Sequence, residues 1–308
     1  MQIRYLTLLI ASLWACTAQS APVQVVVSIK PVHSLVAAIM GETGDPTLLI
    51  TGGTSPHIFS LKPSHAIALS HADLVIWIGP DFERFLDAPL SNLAANTRSL
   101  PLLQVEGMVH LPTRTGGIWG APHTHEEEAH EAAGNEVTDP HIWLDISNAI
   151  IMTHAIEDAL SEIYPDHAVT FARNAEELRM TLSALGTEIT SQTAPVAARP
   201  FFVFHDAYQY FENRYHLSPL GAVTVSPDIR PGARRLIDMR KVGKAQDHLC
   251  VFAEPQFEPR LLQVLTENTN GQLAYLDPLG SDIPAGPEQY AQTMRNLTEN
   301  LVNCLTQP

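Results

Sequence analysis

A chain of 308 residues suffices for one large domain or two medium ones, and a hydrophobic fraction of 45% supplies a substantial core. Lys and Arg total 18 against 33 Asp and Glu, so the formal charge is −15. Such a surface repels phosphate backbones and argues against nucleic acid as a partner; the acidic excess itself reads as ordinary solubility.

Residues 1–20 read as a secretory signal peptide. Arg4 supplies the positive start, Tyr5 to Ala15 an apolar stretch too short to span a bilayer, and Ala18-Gln19-Ser20 the small residues a signal peptidase accepts. Cys16 follows Leu13-Trp14-Ala15, where bulky Trp14 makes a poor lipoprotein site. Cleavage after Ser20 leaves Cys250 and Cys304. An even pair in an exported chain reads as a disulfide, the alternative being two buried free thiols.

Beyond the signal, short β-branched runs alternate with helical patterns. Val23–Ser28 is a strand candidate before a helix opening near Pro31. Thr47–Ile50 is the second, followed by a loop over 51–60 and a helix near Pro63; Leu74–Ile78 and Leu100–Gln104 are the third and fourth. This alternation predicts a mainly parallel sheet with helices on both faces. Residues 112–140 interrupt it with Gly116, Gly117, Gly120, three His and five Glu, and read as a mobile loop. Regular structure resumes at His141-Ile142-Trp143-Leu144, with a helix from about Ser147.

A long helix is expected from Pro165 to Thr193, with Leu178, Leu182, Leu185 and Ile189 on one face. It would extend roughly 40 Å at 1.5 Å per residue, enough to tie two lobes together. Strands then follow at Phe201–Phe204, Leu220–Thr224, Cys250–Ala253 and Leu273–Leu276, with helices near 208–215, 233–242, 259–268 and 287–305. The expected organisation is α/β: a signal peptide (1–20), an N-terminal lobe (21–164) carrying the His/Glu-rich loop, a linking helix (165–194) and a C-terminal lobe (195–308). Both lobes are expected to be doubly wound on mainly parallel sheets.

In open α/β sheets ligands bind beyond the carboxyl ends of the strands. His57 lies in the loop after the second strand, His205 directly follows Phe201–Phe204, and His141 opens the apolar run after the mobile loop. Three imidazoles suit a tetrahedral borderline metal with a carboxylate or water in the fourth position, and zinc fits better than thiolate-seeking copper(I) or oxygen-seeking calcium and magnesium. Asp277 or a water is expected to complete the shell, and Asp206, Asp145 and Glu254 to orient the imidazoles. His33, His65, His71, His154 and His167 read as structural. His123, His125 and His130, among loop glutamates, form either a loose metal-binding tract or a solvated acidic segment. His125 and His130 are five apart and so fail the zinc-protease motif; no phosphate-cradling glycine loop, G-x-S-x-G elbow or cysteine-nucleophile motif occurs, and the chain does not read as an enzyme.

Several blocks are similar to the ZnuA-like family, the periplasmic zinc-binding components of bacterial high-affinity zinc ABC importers within cluster A-I. They are Ser55-Pro56-His57 with Leu61-Lys62-Pro63-Ser64; 72–79, Ala-Asp-Leu-Val-Ile-Trp-Ile-Gly; 139–145, Asp-Pro-His-Ile-Trp-Leu-Asp; and 202–208, Phe-Val-Phe-His-Asp-Ala-Tyr. Val251–Phe257 and Leu276–Gly280 look like the family as well. The resemblance spans the mature chain. It implies a periplasmic zinc carrier, expected to be a monomer, with two lobes joined by a long helix and His57, His141 and His205 as ligands. It also implies delivery to a membrane permease served by a separate ATPase, and a Cys250–Cys304 disulfide. Pro56 stands where some relatives place a glutamate ligand. The alternatives are an adhesin or zinc chaperone on the same fold and, further off, a zinc hydrolase using a metal-bound water.

Overall fold

The computed structural model describes residues 23–92, 97–114, 117–119, 137–224, 227, 231–257, 260–267 and 269–307. The signal segment and the tract holding His123, His125 and His130 lie outside the described residues. No described helix is long and apolar enough to cross a membrane.

The first half runs β1 (Val25–Val27), α1 (Lys30–Met40), β2 (Thr47–Leu48), α2 (Pro63–Ser70), β3 (Leu74–Trp77), α3 (Arg84–Ser91) and β4 (Arg98–Pro101). Its strands pair in parallel in the order β2-β1-β3-β4. β1 reads Val-Val-Val and β3 Leu-Val-Ile-Trp, buried at every position, as strands covered on both faces must be. Helices α4 (Ile146–Ile163) and α5 (Ala168–Thr193) follow. The second half runs β5 (Pro200–His205), α6 (Gln209–Arg214), β6 (Ser218–Thr224), α7 (Ala233–Gly243), β7 (Leu249–Ala253), α8 (Arg260–Thr266), β8 (Gly271–Tyr275) and α9 (Gln289–Leu305). Its order, β6-β5-β7-β8, again all parallel, repeats the first. Each sheet changes winding direction beside its first strand, which opens a crevice at the carboxyl ends of β1 and β3 and of β5 and β7.

Three local features differ from the sequence reading. β4 starts earlier and stops at Pro101, and Leu102–Gln104 forms a 3-10 turn. α3 has no strong signal because Pro89 interrupts its pattern; Pro89 sits in the last turn, where it removes one hydrogen bond near a fraying end. The long helix begins with a 3-10 turn at Pro165–His167, and α5 itself has 26 residues. Gly186 weakens its helical propensity but serves its packing, since a Cβ there would lie 3.2 Å from Ile146 Cγ2 of α4.

α5 packs on α1, α4 and α9, and α9 in turn packs on α1, β7 and β8. One apolar core therefore runs through both halves, from Val27, Leu35 and Ile76 past Leu182 to Phe201, Phe252 and Met294. A smaller core of Phe202, Val251, Met239 and Leu262 lies between the second sheet and the α7/α8 layer. The seam between the halves is also hydrogen-bonded. Lys30 Nζ donates to the carbonyls of Ser281 and Ile283, Trp143 Nε1 to Pro278, and Tyr290 Oη to Trp143. The expected Cys250–Cys304 disulfide is present and ties β7 to α9.

Candidate metal centre

Three segments of different character bring the histidines to the seam. His57 sits in a 3-10 turn, Pro56–Ile58, at the end of the loop after β2. His141 precedes the 3-10 turn Ile142–Leu144 that leads into α4. His205 is the last residue of β5. Their ring centroids form a nearly equilateral triangle with sides of 5.6, 5.7 and 5.3 Å, and one ligand nitrogen from each lies within 4.8 Å of the others. The Nε2 atoms of His141 and His205 are 3.4 Å apart. Two nitrogens bound tetrahedrally to zinc at 2.0–2.1 Å would be about 3.3 Å apart.

Carboxylates behind two of the rings set this convergence. Asp139 Oδ1 lies 2.7 Å from His141 Nδ1 and also accepts the His141 backbone N–H. Glu254, immediately after β7, lies 2.5 Å from His205 Nδ1. A proton held on each Nδ1 leaves the Nε2 lone pair facing the triangle. Glu254 is thus among the expected orienting residues, whereas the other two expected ones act elsewhere. Asp206 pairs with Arg114, and Asp145 caps α4 through Ser147 N–H and pairs with Arg214. Asp139 takes the role not foreseen for it. Asp277, weighed as a fourth ligand, is occupied by its own loop: it accepts from Gln256 Nε2, Leu279 N, Ser281 N and Ser281 Oγ. It is absent from the ligand cluster.

Burial polarises the centre. It is the main cause holding His141 well below the usual imidazole pKa, with the neighbouring His205 charge adding to it. Burial also opposes charge on His205, but the charge and hydrogen bond of Glu254, together with the charges of Asp206 and Asp139, outweigh it and raise that pKa. Burial pushes Asp139 up to about 7, against the pull of the His141 N–H and Arg114. Arg114 anchors its irregular segment by pairing with Asp206 and with Glu212 at 2.7 Å, its guanidinium 3.6 Å over the Trp119 ring.

The cavity at the triangle measures about 20 Å³ and is walled by Phe82, Trp143, Phe257 and Leu279. Phe82 packs edge-on against His57 at 4.9 Å and contacts His141 and Trp143. Behind it, buried Glu83 accepts from Ser28 Oγ, Ile78 N and Gly79 N and so ties the ends of β1 and β3 together. Neither residue carries a motif of its own; a glutamate next to a phenylalanine just past an apolar strand is the signal available in the sequence. Of the histidines read as structural, His33 bonds Pro46 O, His65 the Lys62 N–H and His71 Ile67 O, all outside the triangle.

The profile of the family described as zinc-uptake complex component A, periplasmic, matches residues 25–304. The chain is 40% identical over 306 residues to the high-affinity zinc uptake system protein ZnuA of Brucella suis, covering 92% of this chain and 91% of that one. It is 36% identical to the protein of the same name from Yersinia pestis, covering 92% of each. A crystal structure of ZnuA superposes with a TM-score of 0.77 at 24% identity, over 93% of this chain and 100% of that one. The laminin-binding protein Lmb of Streptococcus agalactiae superposes with a TM-score of 0.75 at 21% identity, over 92% and 99%. At these identities the two structures share its fold.

Proposed function

The chain belongs to the periplasmic zinc-uptake complex component A (ZnuA) family, and from that premise we propose that it captures one Zn2+ between His57, His141 and His205 and delivers it to the membrane permease of an ABC importer driven by a separate ATPase. The observation that carries this reading is the convergence of three imidazoles on one small cavity at the seam of the two sheets. An all-nitrogen set favours zinc over manganese, calcium or magnesium, which prefer oxygen donors. A divalent ion on the Nε2 atoms would hold Asp139 ionised, and the carboxylates behind the rings would offset its charge.

A space of about 20 Å³ accepts an ion and a single water, which serves as the fourth ligand because Asp277 is engaged elsewhere. So small a space favours a carrier of a single ion over a hydrolase of esters or peptides. One chain supplies all three imidazoles, which supports a monomeric carrier. Its expected signal segment and family together support a periplasmic location.

Metal content and zinc–manganese competition on the purified protein test capture. The expected result is one tightly held zinc per chain that equimolar manganese does not displace; displacement would overturn the metal assignment. Delivery is tested by growth of a deletion strain in chelator. Rescue by the parent and not by His205→Ala is expected, and unimpaired growth of the deletion strain would favour an adhesin or chaperone instead.

A further inference from the structure

A second group of metal-ligating side chains lies away from the triangle. His248, Cys250 and Cys304 offer ligand atoms within 4.8 Å of one another. His248 Nε2 is 3.5 Å from Cys250 Sγ and 3.1 Å from the Cys304 carbonyl oxygen. Both cysteines are buried and His248 is half-buried. Cys250 is the second residue of β7, whereas Glu254 follows that strand's other end, about 13 Å away at 3.3 Å per residue. The group is therefore remote from the cleft.

We propose that reduction of Cys250–Cys304 creates a second zinc site of two thiolates and the His248 imidazole, and that the disulfide keeps the protein's own cargo out of it. Sulfurs bonded to each other carry no thiolate charge and are poor ligands for zinc. A phosphine or dithiol changes that: phosphine, water and the disulfide give phosphine oxide and two thiols. Zinc then displaces both thiol protons and takes the lone pair of His248 Nε2, whose proton shifts to Nδ1 as the bond to the Cys304 carbonyl is given up, with water completing the shell. Two thiolates cancel the ion's charge, which suits a buried location better than a bare dication does. Soft sulfur donors would also hold zinc tightly, and at the far end of β7 from the cleft. Zinc bound there would in turn prevent the disulfide from closing.

Cobalt(II) is the probe, added anaerobically to the full chain carrying Cys16→Ser, before and after phosphine reduction. Thiolate-to-cobalt charge-transfer absorption reports this site alone, because loop and cleft histidines offer no sulfur. The oxidised chain should show none. The reduced chain should show a band that saturates at one equivalent, bleaches with zinc, and vanishes in Cys250→Ser with Cys304→Ser. His248→Ala should weaken this binding by about tenfold or more. In a reduced chain whose far-ultraviolet circular dichroism is retained, zinc should also slow alkylation of both thiols. A reduced chain without the band, a His248→Ala variant indistinguishable from its parent, alkylation rates unchanged by zinc, or loss of the fold on reduction would each overturn the proposal.

Discussion

Among the described residues two triads of potential metal ligands each lie within 4.8 Å, and they are built in opposite ways. In the cleft, His141 and His205 are braced from behind by Asp139 and Glu254, so their Nε2 atoms face an open cavity. At the other end of β7, the two sulfurs are joined to each other and His248 faces a backbone carbonyl. Proximity of ligand atoms is thus a weak criterion for a site. What separates the two is whether the partners behind the ligands leave lone pairs available.

The contrast breaks most severely if a cleft imidazole proves dispensable. His205→Ala should lower zinc affinity by roughly 1,000-fold or more, about 4 kcal/mol, in competition with a chromophoric chelator. His248→Ala in the oxidised protein should leave it unchanged. Equal effects would erase the distinction. Replacing both cysteines with alanine should have an effect of similar size on stability instead. Their separation is 54 residues, and opening such a loop costs about 4 kcal/mol on the chain-entropy model. Thermal denaturation should show a fall on the order of 10 °C, with one cleft zinc retained. Loss of that zinc would show that the two ends of β7 are coupled.

Smaller effects sharpen the role of the bracing carboxylates. Glu254→Gln and Asp139→Asn should each weaken zinc binding about 10- to 100-fold, the usual range for groups that orient a metal-binding histidine. Asp206→Asn, although adjacent to His205, should change affinity by less than about threefold while weakening the Arg114 ion pairs. An Asp206→Asn effect as large as that of Glu254→Gln would favour local charge over the hydrogen bond.

The same carboxylates mark the limit of what the sequence revealed. Central strands were legible because strands covered on both faces must be apolar throughout, as β3 is. That His57 and His205 would meet was legible because they follow strands at the ends where α/β sheets bind ligands, whereas His141 was marked only by the apolar run it opens. Asp206 was the wrong choice for an orienting residue on grounds already available: His205 ends β5, and successive side chains of a strand point to opposite faces. Asp139 was harder to find, because its reach back to His141 depends on the irregular backbone before a 3-10 turn, which has no sequence period. Asp277 depends on Gln256 and Ser281, partners that only the folded loops bring together.

The smallest expected effect is the pH dependence of capture, and it separates His141 from His205. Glu254, aided by the charges of Asp206 and Asp139, outweighs burial and raises the His205 pKa, so without zinc this imidazole keeps a proton to above the ordinary value of about 6.5. Zinc must displace that proton. Affinity should therefore be level at higher pH and fall as pH drops through the range of His205 and of Asp139, whose carboxyl is pushed up to about 7 and which zinc would hold ionised, with a proton displaced from each. His141, held low mainly by burial, adds nothing until the solution is more acidic. Calorimetry in two buffers of different ionisation enthalpy counts the protons; a third released near neutrality, from His141, would overturn the assignment of opposite shifts. Glu254→Gln makes the test specific. Removing the carboxylate should lower the affinity plateau yet move the onset of its decline to lower pH, because the charge that kept the proton on His205 is gone. A variant that lowers the plateau without moving the onset would show Glu254 acting only as a brace.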